Sequence, residues 1–90
     1  MISIATFGSN LSATPDSRAD AVLEQSRQLD DVRAIVLLKR AEADYPDDER
    51  ISFRIGFLYH KMNRRPEAEE AYLKTVRLDS CHAQALNNLG

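Results

Sequence analysis

The apolar residues of this 90-residue chain recur mainly at intervals of three and four, which is the spacing of side chains along one side of an α-helix. The clearest series is Ile51, Ile55, Leu58 and Met62, and similar series occupy most of the chain from residue 15 onward. Polar turns of about two to four residues separate these series, and turns this short place consecutive helices side by side as antiparallel hairpins. The pattern therefore predicts an all-α chain of five helices, each roughly 10–14 residues long.

Residues at the ends of these series give the expected helix boundaries. Carboxylates and hydroxyls stabilise the first turn of a helix by accepting hydrogen bonds from its free N–H groups, and proline fits the first helical position. Pro46 ends one helix, because proline disfavours helical backbone in the residue before it. The five predicted helix starts are Thr14-Pro15, Asp30-Asp31, Asp47-Asp48, Pro66 and Ser80.

Residues 1–14 differ in composition from the rest of the chain. They include several residues that favour turns and irregular backbone, namely Gly8, Ser9, Asn10, Ser12 and Thr14. We expect this segment to be a flexible N-terminal tail. No basic residue flanks its short apolar stretch, which makes it a poor secretory signal peptide, and we expect a cytoplasmic protein.

Equivalent features of the chain recur at a fixed interval. Ala34 and Ala68, Pro46 and Ser80, and Gly56 and Gly90 are each separated by 34 positions. A period of about 34 residues is the length of a tetratricopeptide unit, in which two helices form one hairpin. The interval predicts that the hairpins are repeats of one another.

The residues inside the period carry a family resemblance. Ile55-Gly56-x-x-Tyr59, Ala68-x-x-x-Tyr72 and Leu78-Asp79-Ser80 resemble the tetratricopeptide pattern of small and large residues. The resemblance implies an α-α hairpin superhelix of about two and a half repeats: residues 15–48 with a degenerate first helix, residues 49–82, and the start of a third repeat at 83–90. Ser52, Thr75 and Ser80 depart from the family preferences, and a helical bundle without repeats is the alternative.

Composition and motifs argue against catalysis and against metal, nucleic-acid or membrane binding by this chain. A net charge of −2 favours no nucleic-acid partner, and no apolar run is long enough for membrane insertion. His60 and His82 have no carboxylate or cysteine at a spacing typical of a metal site, and Cys81 is the only cysteine. We therefore expect no catalytic residue, no cofactor and no metal.

The resemblance implies that the first helix of each hairpin lines a concave groove for a partner. In residues 49–62, Ser52, Ile55, Gly56 and Tyr59 would pack inward. Carried over by position, the candidate groove residues are Arg50, Phe53, Arg54, Phe57, His60, Lys61 and Asn87. Aromatic and basic side chains on one stripe are typical of binding hot spots for an acidic peptide with apolar side chains. The alternative for Phe53 and Phe57 is that they pack on the neighbouring first helix.

Two functions follow from this reading of the chain. The first is a protein–protein interaction module or scaffold that binds a peptide or helix of a partner in its groove and is not an enzyme. The second is a regulatory or docking segment of a larger enzyme, such as a transferase. Leu86 and Leu89 lie in the helix where the third repeat begins, so self-association through this truncated C-terminal end is a further expected contact.

Overall fold

All regular structure in the described part of the chain is helical. The computed structural model describes residues 15–90, so the expected flexible tail at 1–14 lies outside the described residues. Within 15–90 the helices follow in the order α1 (Pro15–Ser26), α2 (Asp31–Asp44), α3 (Glu49–Lys61), α4 (Arg65–Leu78) and α5 (Ala83–Leu89). The prediction of an all-α fold is confirmed.

Each helix packs against the next one in the sequence, as expected for consecutive hairpins. The pair α3 and α4 shares the most extensive interface, and α1 also touches α3. The first helices of successive hairpins are therefore neighbours, with α1 beside α3.

Two groups of buried side chains form the core. The first, centred on Leu38, Ile51 and Leu58, joins α1, α2 and α3, and the second joins α4 to α5 through Tyr72 and Ala85. Tyr59 packs against both groups, so the core continues from one hairpin into the next. Tyr59, expected to face inward, is half-buried there.

A close approach of two helices explains the glycine of the repeat pattern. A Cβ placed on Gly56 would lie 2.8 Å from the Tyr72 ring carbons Cδ1 and Cε1 and 3.3 Å from the Ala71 Cβ. Those distances are too short for a side chain, so only glycine allows α3 and α4 to pack at this separation. The large Tyr72 occupies the space that Gly56 leaves, and its exposed fraction is 1%.

Two of the departures from the family pattern bond to each other. The hydroxyls of Ser52 and Thr75 lie 2.9 Å apart in the interface of α3 and α4, and both residues are buried. Oγ of Ser52 also lies 3.1 Å from the carbonyl oxygen of Glu49, and Oγ1 of Thr75 lies 2.9 Å from that of Ala71. One hydroxyl therefore donates to the other across the interface, and the hydroxyl that accepts donates to the carbonyl on its own helix. The pair satisfies the hydrogen-bonding needs of two polar groups in an otherwise apolar interface.

The helix starts agree with the sequence to within one residue except at α5. Ser80 was expected as the N-cap, but the N-cap is His82, whose Nδ1 accepts from the backbone N–H of Ala85 at 3.2 Å. The cause is the preceding turn, where the Asp79 carboxylate accepts from the N–H of Cys81 at 3.1 Å and the Asp79 carbonyl accepts from the N–H of His82 at 3.1 Å. Ser80 is therefore inside that turn, and the helix begins two residues later.

The start of α3 carries a charged cap. Oδ1 of Asp48 accepts from the backbone N–H and the side-chain Nε of Arg50, both at 3.0 Å, and Oδ2 accepts from Nη2 at 2.8 Å. These hydrogen bonds, with that of the Arg50 side chain the largest cause, hold the pKa of the Asp48 carboxyl below its usual range. The folded state therefore favours the ionised carboxylate.

This cap makes stability depend on pH on the acid side. Because the pKa of Asp48 is lower in the folded state, its contribution is complete above the unfolded-state pKa of about 4 and is lost as pH falls through the folded-state pKa. Asp48→Asn is expected to lower the free energy of unfolding by about 1 kcal/mol at pH 7 and to flatten the loss below about pH 4.

Urea unfolding followed by circular dichroism, repeated from pH 7 to pH 2.5, measures this effect. The exposed neighbour Asp47 supplies a matched control, and Asp47→Asn should follow the wild-type pH profile. If Asp48→Asn lost stability below about pH 4 as steeply as the wild type, the role given to Asp48 would be contradicted.

Candidate functional site

A groove of about 480 Å³ runs between the odd-numbered helices. Its walls are formed by α1 and α3, and one end is formed by the start of α5. Cavities of this size are typical of ligand sites. The residues that line the groove are Asp20, Leu23, Glu24, Arg27, Arg50, Phe53, Arg54, His82 and Gln84.

Three of the seven predicted site residues, Arg50, Phe53 and Arg54, line this groove. Phe57 and Lys61 lie one and two turns further along α3 and are exposed. Asn87 is exposed on α5 and does not line this groove.

His60 lies apart from the groove. It borders a smaller cavity of about 200 Å³ between α3, α4 and α5, with its ring edge-on to Tyr72 at 6.3 Å between centroids. In the same cavity Asn88 donates a hydrogen bond from Nδ2 to the Tyr72 hydroxyl at 3.1 Å. Burial raises the pKa of the Tyr72 phenol, and the hydrogen bond from Asn88 partly offsets this rise.

Phe53 is held in place by neighbouring rings. Its centroid lies 5.7 Å from that of Tyr72 and 4.7 Å from that of His82, both in tilted orientation. Phe53 therefore packs on Tyr72 of α4 and on His82, the N-cap of the neighbouring first helix α5, whereas Phe57 is exposed. Phe53 remains half-buried and lines the groove, so the groove has a rigid aromatic wall.

Two of the three cations expected to face an acidic partner are neutralised within the chain. Arg50 binds Asp48 and also Asp20 of α1, and hydrogen bonds to these carboxylates raise the pKa of its guanidinium. Nζ of Lys61 lies 3.2 Å from Oδ1 of Asp31 at the start of α2. The surface charge of α3 is therefore lower than the sequence suggests.

Arg54 differs from its neighbours. Its guanidinium carbon lies 5.3 Å from the centroid of the Phe57 ring, in a cation–π contact. Its Nε is buried and has no hydrogen-bond partner, and no carboxylate of the described residues pairs with this side chain. Arg54 thus presents an unneutralised charge to the groove.

Sequence reasoning missed the contribution of α1 to the charges of the groove. Leu23 lies 34 positions before the candidate residue Phe57, and Arg27 is four residues further along the chain, in the turn directly after α1. Extending the stripe by one turn would have found Arg27. No local pattern reveals that Asp20 pairs with Arg50, because the two residues are 30 positions apart.

A second cavity adjoins the groove at Asp20 and Arg50. It measures about 590 Å³ and lies at the turn between α2 and α3. We name it the acidic recess, and its carboxylates belong to Asp20, Asp44, Asp47, Asp48 and Glu49. In the part of the chain that the structure describes, no group of three His, Cys, Asp or Glu residues fits a metal ion.

The fold and the groove define an all-α protein of consecutive helical hairpins. Comparisons with family models, with curated proteins and with solved structures find no significant match for this chain. The tetratricopeptide resemblance therefore depends on the 34-residue interval and on the residues quoted for it. Across residues 15–90, no helix has the length and apolar character that a bilayer span requires.

Proposed function

We propose that this chain is a protein-interaction module of the tetratricopeptide type, which binds a peptide or short helix of a partner in the groove and catalyses no reaction. The observation that carries the proposal is the groove itself, because its lining comes from α1, α3 and α5, the first helices of successive hairpins. A concave surface built from several repeats suits an extended ligand.

The lining has the composition of a peptide-binding surface. Leu23 and Phe53 supply apolar contact area on opposite walls, and Arg27, Arg54 and Gln84 supply hydrogen-bond donors. Aromatic and arginine side chains dominate the energetics of most protein interfaces. Phe53 is also fixed by Tyr72 and His82, so little conformational freedom is lost when a ligand packs on it.

The charges of the groove favour a protein ligand over a nucleic acid. Asp20 and Glu24 lie in the groove itself, and the acidic recess adjoins it. Nucleic-acid binding depends on neutralising many phosphates with lysine and arginine. A continuous phosphate backbone would meet these carboxylates, whereas a peptide can place a side chain of either charge.

Peptide binding in the groove can be tested with a phage-displayed library of random heptapeptides. A selected peptide, synthesised with an acetylated N-terminus and an amidated C-terminus, is expected to shift the backbone NMR signals of Asp20–Arg27, Arg50–Arg54 and His82–Gln84. Leu23→Ala should weaken binding by about tenfold, since truncating an anchor commonly costs 1 kcal/mol or more.

Val36 provides the matched control, because it is 55% exposed on α2 and lines no part of the groove. Val36→Ala should bind the peptide as the wild type does, and thermal unfolding confirms that both variants are folded at the assay temperature. A library without binders, or NMR shifts confined to α2 and α4, would contradict the proposal.

A further inference from the structure

We infer that the partner segment carries one side-chain carboxylate next to an apolar residue, and that this carboxylate binds Arg54 and Arg27 in the groove. The inference rests on the proposed function and specifies the chemistry of its ligand. It differs from the sequence-based expectation of an acidic peptide, because it requires a single carboxylate at one place.

Within residues 15–90, no ion pair forms at Arg54 and its Nε has no hydrogen-bond acceptor. Its buried Nε has no partner, and a buried donor without an acceptor is costly. Its contact with Phe57 restricts the side chain without neutralising it. A carboxylate supplies the charge and the acceptor together, because its two oxygens match the planar guanidinium fork.

Arg27 also favours a carboxylate in the groove. It lies in the turn directly after α1, whereas Arg54 lies on α3, and both line the groove. No carboxylate of the described residues lies within ion-pair distance of Arg27. Two cations without a paired carboxylate among the described residues therefore line the same groove, and an anionic side chain of a ligand complements them.

The charge balance of the groove admits one carboxylate. Asp20 and Arg50 neutralise each other, which leaves Arg27 and Arg54 against Glu24, an excess of one positive charge. A second carboxylate has no free cation, because Arg50 and Lys61 are already paired. Toward the acidic recess it would also meet like charges, which oppose binding.

The apolar neighbour follows from the walls around these cations. Leu23 and Phe53 line the groove beside Arg27 and Arg54. The Phe53 ring packs against the rings of Tyr72 and His82, which restrict its movement. An aliphatic or aromatic side chain adjacent to the carboxylate packs on this fixed surface and shields the ion pairs from water, which strengthens them.

A peptide array on the full chain tests the inference. Its members are capped hexapeptides with one Glu next to Leu or Phe in a Ser/Ala background, each with a twin carrying Gln in place of Glu. We expect each Glu peptide to bind at least about tenfold tighter than its twin. Versions with two or three Glu should bind no tighter than versions with one.

Arginine variants show which residue causes the preference for Glu peptides over their Gln twins. Arg54→Gln should reduce the ratio between Glu and Gln twins to about one while the Gln twins still bind. Arg27→Gln tests the second cation independently and should lower the ratio at least several-fold. Arg40→Gln removes the same charge from an exposed position of α2 outside the groove and should leave the ratio unchanged. Circular dichroism verifies that each variant is helical.

The outcomes separate this inference from the proposed function. Equal binding of Glu and Gln twins, with NMR shifts still in the groove, overturns the inference and leaves peptide binding intact. The inference is also overturned if Arg54→Gln and Arg27→Gln both keep the wild-type ratio of Glu-peptide to Gln-peptide binding. Binding that requires a free C-terminal carboxylate, tested with uncapped peptides, overturns it too. An array in which no peptide binds contradicts both proposals.

Discussion

Tyr72→Ala is expected to lower the free energy of unfolding by about 3–5 kcal/mol, the largest effect of any substitution considered for this chain. Tyr72 is the largest fully buried side chain among the described residues, with an exposed fraction of 1%. It fills the space left by Gly56, contacts the Phe53 ring and packs with Ala85 of α5. Its removal opens a cavity where three helices meet.

The loss in Tyr72→Ala is large compared with the total stability expected for a chain of this size. A domain of this length typically has a free energy of unfolding of about 5–13 kcal/mol. Urea unfolding followed by circular dichroism measures the difference, and Tyr72→Phe is the matched control. It keeps the ring and removes the hydroxyl that accepts a hydrogen bond from Asn88, at an expected cost of about 1 kcal/mol. Equal losses in both variants would contradict a packing role for the ring.

Gly56→Leu is expected to lower the free energy of unfolding by about 3 kcal/mol. Even the first carbon of a side chain would lie 2.8 Å from the ring of the buried Tyr72. The substitution therefore forces α3 and α4 apart or displaces the ring. Thermal and urea unfolding report the loss, and a shift of the Tyr72 ring signals in the NMR spectrum reports the displacement.

Gly56→Ala tests the same close approach with a smaller side chain. Alanine gains about 1 kcal/mol of helix propensity over glycine, and this gain offsets part of the steric cost. We expect a net destabilisation of about 1 kcal/mol. Gly90→Ala is the control, since its Cβ would lie 3.5 Å from the nearest atom, the Leu86 carbonyl oxygen, and stability should not change. A Gly56→Ala variant more stable than the wild type would refute the close approach.

Most helix boundaries could be predicted because the determinants are local. Pro15, Asp30 and Asp48 mark the starts of α1, α2 and α3 in the sequence and in the structure. The start of α5 could not be predicted, because Asp79 uses its side chain and its carbonyl to close a turn that takes up Ser80. Helix-starting residues thus predict a boundary unless a neighbouring turn competes for the same backbone groups.

The candidate groove was predictable only in part, for a similar reason. Helical spacing places Phe53 and Arg54 on the side of α3 that lines the groove. It does not show which distant residues meet that side, and the pairs of Arg50 with Asp20 and of Lys61 with Asp31 depend on helix packing. Those pairs turn an apparently basic helix into one with a single unneutralised arginine in the groove.

The half-buried Tyr59 packs against both groups of buried side chains, and this shared packing bears on how the chain denatures. In arrays of helical repeats, the strength of the contact between neighbours decides whether units melt separately or together. A side chain that loses its packing when either hairpin opens makes each opening more costly. Tyr59 therefore couples the two hairpins energetically and favours a cooperative transition over stepwise melting.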